Sequence, residues 1–128
     1  MMGEAKIPLY KLLVCLSDAA DLVSPRLLGH HRQVAYIALK AGRELNLPQE
    51  QLFNLTLAGI LHDVGAFSLQ ERLADLQGAG GFSSRHTETG FLLLKEFEPL
   101  EGAAELIRLH HLPWEDGRGA SRIIKLVR

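Results

Sequence analysis

The stretch that most constrains this chain is residues 48–65, "PQEQLFNLTLAGILHDVG". Its apolar residues Leu52, Phe53, Leu55, Leu57, Ile60 and Leu61 fall on every side of a helical axis. A helix that is apolar all round belongs at the centre of its domain. The segment is therefore expected to be the most buried helix, opened by Pro48 and ending near Gly65. At its end the sequence places His62 and Asp63 side by side. A buried carboxylate without a partner costs several kcal/mol, so the rest of the chain has to supply one for Asp63.

The remaining pattern is also helical. Residues 8–23 carry Leu9, Leu12, Leu13, Leu16, Ala20 and Val23 at helical spacing. Ser24-Pro25 reads as an N-cap followed by proline at the first helical position, which starts a second helix running to about Leu45. Ser68 with Glu71 three positions later resembles a capping box for a short helix over 68–76. Residues 77–84, "QGAGGFSS", read as a mobile loop; they lack the strand and GK[ST] context of a phosphate-binding loop. Helices are expected over 84–97 and 99–111, then a loop, "LPWEDGRGA", and a further element at "SRIIKLVR". That last element has an apolar face and no cap, which predicts that the chain is one piece of a longer protein. Nothing alternates with a period of two. The expectation is one all-α domain over 1–128, a bundle of about six or seven helices truncated at its C-terminal end.

Composition narrows the function. Fourteen basic residues against fifteen acidic ones leave no basic surface for long nucleic acid. Charges interrupt every apolar run, so no membrane span is expected, and the absence of a signal-peptide pattern predicts a cytoplasmic protein. Cys15, the single cysteine, reads as a small buried hydrophobe in a Leu/Val run.

The six histidines are His30, His31, His62, His86, His110 and His111. They occur as HH, HD, H and HH, each near the end of an expected helix. Such clustering points to a metal site, and imidazole with carboxylate suits Zn, Fe, Mn or Ni. One aspartate can bridge two cations, and the cations would compensate its burial. On the second helix His30 shares a stripe with Val34, Ile37, Ala41 and Leu45, whereas His31 lies above the smaller Ala35, Ala38 and Gly42. The larger stripe favours His30 as the inward ligand, with His31 behind it or exposed.

The ordered pieces "HHRQVAYIA" (30–38), "ILHDVGAF" (60–67), "HTETG" (86–90) and "HHLPWEDGRG" (110–119) resemble the HD-domain phosphohydrolase superfamily, and within it the HD-GYP branch. The resemblance implies an all-helical fold and a two- or three-metal centre that hydrolyses phosphate esters, commonly of nucleotides. In the HD-GYP branch the usual substrate is cyclic di-GMP. It implies His30, His62, Asp63, His86, His110 and His111 as ligands of divalent metals, with Asp63 as the bridge and Asp63 and His62 at the catalytic centre. Three places depart from the branch: Ala66 stands where it has lysine, Arg26 where some members have a glutamate ligand, and "GRGAS" where the GYP signature falls. A final aspartate ligand would lie beyond Arg128. Ala66, the absent GYP signature and the absent aspartate predict poor or no turnover of cyclic di-GMP by this chain, and the absent carboxylate predicts one weakly occupied metal site.

The expected activity is metal-assisted hydrolysis of a nucleotide or cyclic-nucleotide ester. Arg85 and Arg118 are candidates to neutralise phosphate oxygens, unless they are simply solvated. Trp114 either stacks on a base or packs over its loop. The alternative is a catalytically degenerate regulatory module that binds a nucleotide or protein partner. Expected partners are a phosphate-ester ligand and, for self-association, a second copy of the chain.

Overall fold

The structure is a computed structural model that describes residues 6–66 and 85–112. Among the described residues the fold is entirely helical, without a strand. Helix α1 spans Leu9–Asp21 and follows Pro8, whose missing N–H is harmless at a helix start. Helix α2 spans His30–Glu44 and α3 spans Gln49–Leu61. Helix α4 spans Arg85–Leu94, and a single 3-10 turn, Glu98–Leu100, leads into α5, Glu101–Leu109.

Helix α3 is central, as its sequence requires. Leu55, Leu57, Ala58, Gly59, Ile60 and Leu61 are all buried in it. Helix α2 lies along it, α1 touches both, and α5 packs on α3 and α4. Ala35, Ala38, Ala103, Leu106 and Ile107 complete the core around Leu55 and Leu57. No described helix is long and apolar enough to cross a membrane.

Helix α2 starts later than the Ser24-Pro25 signal predicts. Residues 24–29 form successive turns: the Leu27 N–H donates to the Ser24 carbonyl and the His30 N–H to that of Leu27. The Ser24 hydroxyl accepts from the Arg26 N–H, so it caps a turn instead of the helix. Gly29, at φ 74°, makes the left-handed step into α2, which few residues other than glycine tolerate. The far end closes on Asn46 at φ 54°, with the Leu47 N–H donating to the Gly42 carbonyl.

Two expected faces are also revised. The buried stripe of α2 is the small one, His31, Ala35, Ala38 and Gly42, while Ile37 is 65% exposed. Close packing decides this: a Cβ on Gly59 of α3 would lie 2.6 Å from the Ala35 Cα. Two helix backbones at that separation leave room only for small side chains. On α1 the buried face is Leu13, Ser17 and Asp21, with Leu12, Leu16 and Val23 beyond it exposed. Cys15 shares that outer side and is exposed, not buried. The expected helix at 68–76, the glycine loop at 77–84, and the segment from 113 onward, with Trp114 and Arg118, lie outside the described residues.

Candidate metal centre

Four elements deliver histidines to one place. His62 caps the C-terminus of α3 and His110 that of α5. The two use the same local device. His62 Nδ1 donates to the Gly59 carbonyl at 2.9 Å, and His110 Nδ1 to the Ile107 carbonyl at 2.7 Å. Each bond ties the ring to a carbonyl of the last helical turn, and the Ile107 carbonyl also accepts the His110 backbone N–H. A carbonyl only accepts, so Nδ1 must carry the proton and Nε2 is the atom left for other chemistry. Metal-binding histidines are commonly held this way.

His86 reaches the same place through glycine contacts. A Cβ on Gly65 would lie 2.1 Å from the His86 carbonyl oxygen and 2.5 Å from the Gly90 nitrogen. The space glycine leaves lets the first turn of α4 rest against the turn that carries Asp63. The glycines of "HDVG" and "HTETG" are thus the two sides of one contact.

Asp63 is 5% exposed and lies between two groups of donors. Its Oδ2 lies 3.2 Å from His62 Nε2 and 3.9 Å from His30 Nε2, and these two nitrogens are 3.2 Å apart. Its Oδ1 faces His86 Nε2 at 3.7 Å. His86 Nε2 is in turn 3.0 Å from His111 Nε2. The donor atoms of His30, His62 and Asp63 all lie within 4.8 Å of one another, as do those of His86, His110 and His111. Two ligands bound at about 2.0–2.2 Å to one cation stand roughly 3–3.6 Å apart. Most of the separations fall in or near that range.

The electrostatics also fit a cation. His110 Nε2 is buried without a hydrogen-bond partner among the described residues, an arrangement that costs about 1–3 kcal/mol unless something else satisfies the atom. Burial, with the charge of His62 nearby, pushes the His110 imidazole down to about 3, so it stays a neutral lone-pair donor. Burial also opposes ionisation of Asp63. The hydrogen bond and charge of His62, helped by His31 and His110, outweigh it and hold the carboxyl well below the usual carboxylate range. For His62, burial disfavours the charged form, but its bond to Asp63 and the carboxylate charge raise its affinity for a proton. The Nε2 atom facing Asp63 is where a cation would compete with a proton. His30 is lowered, first by burial and then by His62.

Of the residues singled out in the sequence, the structure brings His30, His62, Asp63, His86, His110 and His111 together. Arg85 precedes His86 at the start of α4 and is exposed. Sequence reasoning missed Asp21, which is 1% exposed and hydrogen-bonded to His31, itself buried behind His30 and His62, the first of the two places expected for it. The available signal was the four-residue spacing of Leu13, Ser17 and Asp21, which puts an acid on the buried face of α1.

The family model described as "HD domain" matches residues 27–128. The chain is similar to 3'3'-cGAMP-specific phosphodiesterase 1 of Vibrio cholerae, with 25% identity over 114 residues. That alignment covers 88% of this chain and 26% of the relative, so the chain spans about a quarter of that protein's length. No solved structure matches the chain significantly.

Proposed function

The chain belongs to the HD domain family, and from that premise we propose that it is a metal-dependent phosphohydrolase acting on a nucleotide or cyclic-nucleotide ester. The observation that carries this reading is Asp63, whose two oxygens face separate groups of imidazole donors. His30, His62 and Asp63 would hold one divalent cation. His86, His110 and His111, with the other oxygen of Asp63, would hold a second. Fe, Mn, Zn and Ni all suit such donors. When bound, two cations supply positive charge for the phosphoryl oxygens and make water a competent nucleophile at neutral pH.

The chain's own residues then have defined tasks. Asp63, with one oxygen toward each group of donors, would contribute to both positions. The Gly59 and Ile107 carbonyls hold the His62 and His110 rings as Nδ1–H tautomers. Burial of Asp63, His86 and His110 keeps bulk water from competing for their donor atoms. Arg85, exposed beside His86, is the described candidate for a phosphate oxygen.

The relative's name specifies 3'3'-cGAMP, which makes cyclic dinucleotides the first substrates to try. The test is hydrolysis of 3'3'-cGAMP, cyclic di-GMP and bis(p-nitrophenyl) phosphate with added Mn(II) or Fe(II), beside Asp63→Asn. Metal-dependent turnover lost in the variant is expected for at least one ester, with cyclic di-GMP poorly used. A second reading rests on Ala66, buried beside the site where the HD-GYP pattern has a charged lysine. Metal binding without turnover of any ester would favour that reading, a regulatory module that binds a nucleotide or protein partner.

A further inference from the structure

One buried cluster beside the centre has no part in the metal reading. Asp21 ends α1 and is 1% exposed; His31, in the first turn of α2, is 3% exposed. His31 Nδ1 is hydrogen-bonded to Asp21 Oδ1. The other carboxylate oxygen, and the Ser17 hydroxyl one turn earlier on the same face, are buried with no hydrogen-bond partner among the described residues. A half-satisfied carboxylate costs stability where it stands, and an apolar residue of similar size would pack α1 against α2 at lower cost. Folding alone does not account for this acid.

Its neighbours suggest what does. The His31 ring lies against both imidazoles of the first donor group, with its centroid 4.9 Å from that of His62 and 5.5 Å from that of His30. His31 itself is in neither set of converging donor atoms. It can therefore act only through the rings that are. Among the six donor residues only Asp63 carries a negative charge, so two dications would leave the centre strongly positive. A second buried carboxylate, one imidazole away, would offset part of that charge. Asp21 also lies upstream of residue 27, where the family match begins.

Building on the metal reading above, we infer that Asp21 is a positioning residue of the first half-site. Its carboxylate holds His31 through Nδ1, and the His31 ring fixes the planes in which His30 and His62 present Nε2. The dyad is built for the metal-bound state at some expense to the metal-free one.

Co(II) titration tests this, following visible absorption and the thermal midpoint with and without metal. The wild-type chain is measured first. If it takes up no Co(II), the metal reading fails and this inference fails with it. Given uptake, Asp21→Asn should leave the metal-free midpoint unchanged or higher. One of the two binding steps should weaken about 10–100-fold, the usual effect of removing a residue that orients a ligand. The spectrum of that step should change, and Ser17→Ala should leave both affinities intact. If Asp21→Asn does not fold, His31→Gln tests the same link from the other side and should give the same loss. Unchanged affinity in a folded variant of either residue would overturn the inference and leave the metal reading standing. A lower metal-free midpoint with unchanged affinity would make the pair purely structural, and would overturn it too.

Discussion

Replacing Gly65 by alanine should damage the second half of the centre more than the fold. The added Cβ would lie 2.1 Å from the His86 carbonyl oxygen and 2.5 Å from the Gly90 nitrogen. Both are backbone atoms, so no rotamer change relieves the overlap. The turn and α4 must part by about 1 Å to restore an ordinary contact. Overpacking of this kind costs about 1–3 kcal/mol, or roughly 4–11 °C in the thermal midpoint of a domain this size. Metal geometry is far less forgiving, with tolerances of about 0.2 Å. His86 rides on the displaced turn and Asp63 on the other side of the gap. The separation of 3.7 Å between Asp63 Oδ1 and His86 Nε2 would change by several times that tolerance. The expected result is about a 100-fold loss in the affinity of one metal step, the order seen when a reacting group moves by an ångström. Circular-dichroism melting beside a metal titration gives both quantities. Gly102→Ala is the control, because its Cβ would meet only the flexible Asn54 amide, 2.3 Å from Nδ2. It should cost less than about 1 kcal/mol and leave binding unchanged. Wild-type affinity for both ions in Gly65→Ala would refute the claim that this contact sets the site.

Other expectations follow from the same structure. Gly59→Ala should weaken the opposite half-site, since its Cβ would lie 2.6 Å from the Ala35 Cα and part α2, with His30, from α3; a titration that lost the same step as Gly65→Ala would contradict this. Leu57→Ala, at a position with no exposure, should cost about 2–5 kcal/mol in chemical denaturation. The metal-free protein should lose stability as pH falls below about 6.5. His110 has a folded pKa pushed down to about 3, so the unfolded chain binds the proton first across that window. The slope from this group is at most about 1.4 kcal/mol per pH unit. His30 and His31, also lowered, act in the same sense, and His62, raised, acts against it. His110→Gln should flatten the curve measured by denaturation at several pH values.

The sequence's periodicities carried the fold as far as one helix at a time. The apolar surround of residues 52–61 marks α3 as central, because no exposed helix is apolar on every side. Boundaries set by local backbone chemistry were harder to read. Ser24-Pro25 is a sound start signal, yet the left-handed step at Gly29 moves the start of α2 to His30. Larger apolar residues drew attention to the wrong stripes of α1 and α2. The small face of α2 is buried because Gly59 and Ala35 bring two backbones together, a pairwise fact absent from either segment alone. Clustered histidines disclosed the candidate site, since no other feature of a near-neutral helical chain concentrates so many near helix ends. Asp21 stayed hidden because an acid on an amphipathic helix ordinarily faces water, and its burial depends on where α2 places His31.

Everything proposed for this site depends on Asp63 contributing an oxygen to each of two cations. Crystals soaked in Mn(II) and measured for anomalous scattering would test it most directly. Two anomalous peaks are expected per chain, one among His30, His62 and Asp63 and the other among His86, His110 and His111, with neither retained at full height in Asp63→Asn. A single peak that survives this substitution, or saturating Mn(II) that produces no peak beside Asp63, would contradict it.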